Sequence, residues 1–107
     1  MMNVLHGIPY ETDRMGKRQL VGEEHLQLMQ IALRPGQAVP PHNANSNVHL
    51  LVLTGGIHVD LDGAPHDASQ GTLLPVAHGT PMRIENRADG DASFLVIKSP
   101  HPSQMKT

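Results

Sequence analysis

Eight histidines, six methionines and no cysteine define the side-chain chemistry open to this chain of 107 residues. Imidazole nitrogen suits zinc, copper, nickel and iron, and a thioether favours Cu(I). Without a thiol there is no disulfide, no zinc–thiolate centre and no cysteine nucleophile. His6, His25, His58, His66 and His101 are scattered and read as surface polarity. The methionines read first as flexible core filler. His42, His49, His78 and Met82 remain, and they fall within one stretch punctuated by glycines.

Groups so far apart in sequence meet only if the chain folds back on itself in short elements. Ten glycines and nine prolines, spread through the chain, divide it into the short segments of an all-β protein. Ile57, Val59 and Leu61 alternate with His58, Asp60 and Asp62, the period of a half-buried strand. Asp62-Gly63 then signals a hairpin turn, and Asp60, Asp62 and Asp67 around it read as solvated. Residues 47–54, 72–76, 81–86 and 92–98 read as further strands. Glu23 to Arg34 is rich in helix formers, and Pro35-Gly36 would stop a helix there. Yet Met29, Ile31 and Leu33 alternate with Gln30, Ala32 and Arg34. Taken alone, propensity slightly favours a helix; the motif resemblance that begins at Gly36 implies instead an extended strand feeding Pro35-Gly36. Only Tyr10 and Phe94 are aromatic, so Leu, Ile, Val and Met must fill the core.

From Gly36, five residues lead to His42; Ala44, His49 and Gly56 come after it at fixed intervals. This run resembles the first motif of the cupin family, which has Gly, His-x-His, Glu and Gly at those spacings. Gly71, Ala77, Gly79, Met82 and Asn86 resemble the second motif, with its Gly, Pro-x-Gly, His and Asn. Gly36, His42, Gly56, Gly71, Gly79 and Asn86 match, whereas Ala44, His49, Ala77 and Met82 depart. The resemblance covers about residues 26–98. It implies an all-β fold, the cupin double-stranded β-helix or jelly-roll barrel, in a single domain over 1–107. The polar tail 99–107 is expected to fray.

In that family the two His and the Glu of the first motif and the His of the second converge on a divalent metal. Carried over, His42 keeps a ligand, Ala44 offers none, His49 replaces a carboxylate by an imidazole and Met82 offers only a thioether. The resemblance therefore implies His42 and His49 as metal ligands, with Met82 or His78 as a third, for Zn, Ni, Cu or Fe. Equally open is an abandoned metal site in which His42, His49 and Met82 line a ligand pocket. Either reading requires the two histidines to point into one cavity, with Met82 lining it.

A formal charge of −2, two aromatic residues and no Lys/Arg run argue against a nucleic-acid platform. Leu50 to Leu53, the longest apolar run, is far too short to span a bilayer. Met1 to Pro9 lacks the signal-peptide pattern, so a cytoplasmic protein is expected. The first function read from these features is a cupin that binds a small molecule, a weakly held divalent metal, or both. The alternative is a metal-dependent oxygenase or isomerase acting on a small organic substrate. A metal-free acid–base enzyme, like the family's sugar-nucleotide epimerases, is disfavoured because no Lys or Arg lies between Gly36 and Gly79. A homodimer is expected, with Val4 to Tyr10 pairing on a partner's sheet edge.

Overall fold

A computed structural model describes residues 1–105. Nine strands run in chain order: β1 Gly16–Glu23, β2 Leu26–Leu33, β3 Ala38–Asn43, β4 Val48–Thr54, β5 Gly56–Leu61, β6 Ala64–Ser69, β7 Leu73–Val76, β8 Pro81–Glu85 and β9 Ala92–Lys98. The described residues contain no α-helix, and no helix is long and apolar enough to cross a membrane. The Glu23 to Arg34 stretch is extended: β1 turns at Glu24 and His25 into β2. Tertiary pairing on both sides of β2 overrides its helical propensity.

The strands form a five-stranded sheet, β1-β2-β9-β4-β7, and a four-stranded sheet, β3-β8-β5-β6. Every pairing is antiparallel. β5 pairs with β6, β4 with β7, β3 with β8 and β2 with β9. The chain from β2 to β9 is thus one long hairpin, wound so that its paired strands alternate between the two sheets. Its tip is Asp62-Gly63, both at positive φ (50° and 84°), as a two-residue type I′ turn requires. This is the double-stranded β-helix.

β1 and β3 were not evident in the sequence. β3 carries Pro40 and Pro41, which cannot donate ladder hydrogen bonds. It is accordingly an edge strand, paired only with β8 and irregular between Val39 and His42.

The core lies between the sheets and consists of Ile31, Leu33, Val48, Leu50, Val52, Ile57, Val59, Val76, Met82, Ile84 and Phe94, with small alanines. Asn86 is the polar pin of this core. Its Nδ2 donates to the Leu33 carbonyl (3.0 Å) and the Gly90 carbonyl (2.8 Å), and its Oδ1 accepts from Ala88 N (2.9 Å). These bonds tie the end of β2 to the loop between β8 and β9.

Residues 3–10 form a strap across the outer face of the five-stranded sheet. Within the chain, the Arg18 guanidinium donates to the strap carbonyls of Val4, His6 and Gly7, and Gln30 Nε2 donates to Val4 O at 2.7 Å. The tail is also tied down, against expectation. Ser46 Oγ donates to the Pro100 carbonyl, His101 N donates to Glu24 O, and a 3-10 turn covers Pro102–Gln104. The last two residues of the 99–107 segment lie outside the described residues.

Asn86→Ala removes three hydrogen bonds around buried backbone groups and should cost about 2–4 kcal/mol, read from the urea midpoint. Gly55 stands at φ +68°, where a Cβ would lie 2.3 Å from Asp91 O. Gly55→Ala should therefore cost more than Gly63→Ala, whose Cβ would meet open space. Equal losses at the two glycines would contradict this packing.

Candidate functional site

A cavity of about 330 Å³ opens between the two sheets. Its apolar wall comes from β2 (Met29, Ile31), β4 (Leu50), β8 (Ile84) and β9 (Phe94, Val96). Strand alternation puts these side chains inside, because residues two apart share a face. His42 from β3 and Met82 from β8 face the same space and are direct partners in the ladder.

His49 is elsewhere. On β4 the buried positions are Val48, Leu50 and Val52, and His49 between them faces outward and is exposed. The expectation that His42 and His49 share a cavity is corrected, and so is His49 as a metal ligand beside His42. The reason is register: a strand has period two, so a shift of one residue exchanges its faces. Val48 is the inward residue, and Gly55, not Gly56, is the positive-φ glycine that ends the strand. The first motif therefore closes one residue earlier, with Val48 and Gly55 where His49 and Gly56 were read. His78 is exposed in the turn before Gly79 and does not replace a lost ligand.

The family's four ligand positions are thus occupied by His42, Ala44, Val48 and Met82. One imidazole, two hydrocarbons and a thioether do not fit a divalent metal, which needs three or more N, O or S donors to be retained. Among the described residues no three His, Cys, Asp or Glu side chains cluster for a metal. His42 is further committed by its Nδ1, whose N–H donates to the Pro40 carbonyl at 2.9 Å. In the neutral ring, Nε2 is left as an acceptor.

Two cavity residues were missed in the sequence, Lys17 and Lys98. Lys17 is exposed and stands at the rim. Lys98 is half-buried, and burial holds its amine below the usual lysine range. The signal for Lys98 was present, since Phe94, Val96 and Lys98 share one strand face. No carboxylate comes within 4 Å of either amine among the described residues; Glu11 and Asp13 share the outer groove beside Lys17 without pairing with it.

His58 departs from the surface reading given to the scattered histidines. Its side chain is only 11% exposed, and Nδ1 lies 2.8 Å from Asp67 Oδ1, with Asp60 at 3.7 Å from Nε2. This pair sits on the outer face of the four-stranded sheet, away from the cavity.

Comparison with known proteins agrees with this geometry. The family model for the cupin domain matches residues 29–98. An uncharacterized protein of Methanocaldococcus jannaschii is 35% identical over 101 residues, covering 90% of this chain and 87% of that protein. A crystal structure from the same archaeon, of an RmlC-like cupin family protein with a double-stranded β-helix fold, superposes with a TM-score of 0.79 at 33% identity, covering 89% of this chain and 90% of that one. A Thermus thermophilus structure superposes with a TM-score of 0.86 at 22% identity, over 94% and 96% of the two chains, a likeness of fold alone. On the matched domain and these similarities, the chain belongs to the cupin family.

Proposed function

We propose that this cupin binds a small organic molecule in the cavity between its sheets and that its metal site is degenerate. The observation that carries this is the cavity itself. It has the size and the apolar lining of a small-molecule site, with the half-buried Lys98 and the exposed His42 and Lys17 at its rim to orient a ligand. The oxygenase or isomerase alternative needs a metal that stays bound while keeping open positions. With His42 as the one imidazole at the four ligand positions, open positions exist and holders do not.

A second copy of the chain is the partner this reading includes. On the outer face of the five-stranded sheet, Val21, Leu28, Ile97, His49 and Pro75 form one row across the strands, and Leu95, Leu51 and Leu73 lie in the next. Leu73 is 56% exposed, and Leu5 of the strap, 51% exposed, continues the patch. Five strands and two such rows cover on the order of 300 Å². Two copies would bury on the order of 600 Å² through these rows, the scale of a weak, reversible pairing unless neighbouring chain adds to it. The first row carries no Asp, Glu, Lys or Arg; the second runs on through Gln30 to Arg18, whose guanidinium is engaged by Gln30 and the strap carbonyls.

Calorimetric titration with Zn²⁺, Cu²⁺, Ni²⁺, Mn²⁺ and Fe²⁺ should show only weak binding, reduced further in His42→Ala, which should stay folded. Mn²⁺ or Fe²⁺ bound as tightly as Cu²⁺ or Zn²⁺, with oxygen consumed on a small enol or diketone, would establish the oxygenase instead. Light scattering at micromolar concentration should return a dimer mass, and the Leu51→Glu/Leu73→Glu double variant a monomer mass. A monomeric wild-type protein would refute the second copy.

A further inference from the structure

The cavity contains three titratable side chains, Lys17, Lys98 and His42, and no carboxylate lines it. All three carry either no charge or a positive one. We propose that the ligand is a small molecule with an apolar body and a single anionic head, a monocarboxylate in the simplest case, its head paired with the Lys98 ammonium. This rests on the cavity being the ligand site and adds the chemical class of the ligand.

Three observations lead there. Lys98 is drawn into the barrel by strand parity, at the end of the inward row Phe94, Val96, Lys98, beside the inward Val48 of β4. It has no acidic partner among the described residues, and no hydrogen bond to its amine is found there. A half-buried ammonium without a counter-ion is unfavourable, because it loses hydration and gains no pairing. An anion entering the cavity supplies the missing partner in surroundings drier than bulk water, where a charge-assisted hydrogen bond is stronger. The rest of the lining, Met29, Ile31, Leu50, Phe94 and Val96, suits an aliphatic or alicyclic body. Lys17 at the rim adds a second positive charge along the way in. His42 Nε2, with Nδ1 committed to Pro40, is left to accept from a hydroxyl on the ligand.

The depressed Lys98 pKa also gives a signed pH dependence. The folded state releases the Lys98 proton at lower pH than the unfolded chain does. Below the folded value the buried charge destabilises the fold, and stability rises with pH between the folded and unfolded values. A bound carboxylate acts in the opposite direction and raises the Lys98 pKa. Carboxylate affinity should therefore fall as pH rises through a range below that of an ordinary lysine. Lys17 and His42 are the other titratable groups lining the cavity.

The probes are hexanoate, hexan-1-ol and hexylammonium, which share one body and differ in the head. Binding is followed by the backbone amide shifts of Ile31, Leu50, Phe94 and Val96 in the intact protein. Hexanoate should bind at least tenfold more tightly than hexan-1-ol, and hexylammonium more weakly than either. In Lys98→Met the alcohol should bind as before while the preference for hexanoate disappears, and the thermal midpoint at neutral pH should rise because an unpaired charge has gone. In the wild-type protein, added hexanoate should move the Lys98 titration, read at its side-chain methylenes, to higher pH; this measurement stands even if the variant folds poorly. Equal binding of hexanoate and hexan-1-ol, or a hexanoate preference that survives Lys98→Met, overturns the anionic ligand and leaves the cavity reading intact. No cavity shifts with any of the three probes overturns the cavity reading as well.

Discussion

The alternation of side chains along paired strands governs everything in this molecule. Two sheets face one another, and each strand gives every second residue to the single interior they enclose. The wound hairpin from β2 to β9 fixes which residues those are, through the pairings β5–β6, β4–β7, β3–β8 and β2–β9 that run outward from the tip at Asp62-Gly63, the β3–β8 pairing slipping between Val39 and His42. Core, cavity and surface are three consequences of that register. Val48, Leu50 and Val52 are core because they face in; His49 is on the surface because it stands between them.

The same constraint explains why the cavity has changed its chemistry without changing its frame. Ala44, Val48 and Met82 occupy inward positions and are well packed there, so the barrel gains apolar contact where the family places polar ligands. Donors lost at those positions cannot be restored by nearby histidines such as His49 or His78, whose backbone sites point them outward. The polar character of the cavity then rests on groups nearer its rim: His42 on an irregular edge strand, Lys17 on β1 and Lys98 at the end of β9. Charge enters the cavity from lysines and not from carboxylates, the reverse of what a cation site requires.

Outside the cavity, buried polar side chains hold irregular chain to regular sheet. Gln30 is fully buried on the outer side of β2, where it accepts from Arg18 Nε (2.7 Å) and donates to Val4 O. Together with Asn86, it shows how strand-derived amides satisfy loop backbone that would otherwise be buried without partners. Strap and tail are thereby part of the fold. They screen parts of the outer face while leaving the row from Val21 through Leu28 and Ile97 uncovered by this chain.

Much of the architecture was legible in the sequence, for physical reasons. The alternation of Ile57, Val59 and Leu61, the Asp62-Gly63 turn and the spaced glycines are local signals, and they specify strands, tip and corners without reference to distant contacts. The motif resemblance carried the family in the same way, through residues that a wound hairpin needs at its corners. β3 escaped notice because its two prolines are strand breakers in isolation, and only its place at a sheet edge tolerates them. The helix-or-strand question over residues 23–34 was settled by pairing on both sides of β2. The site was the least legible part. Whether His49 or Val48 faces inward turns on one residue of register, which depends on hydrogen bonds to β7 and β9, far along the chain. Tertiary structure alone could decide that, because the faces of a strand differ only by which neighbours it meets.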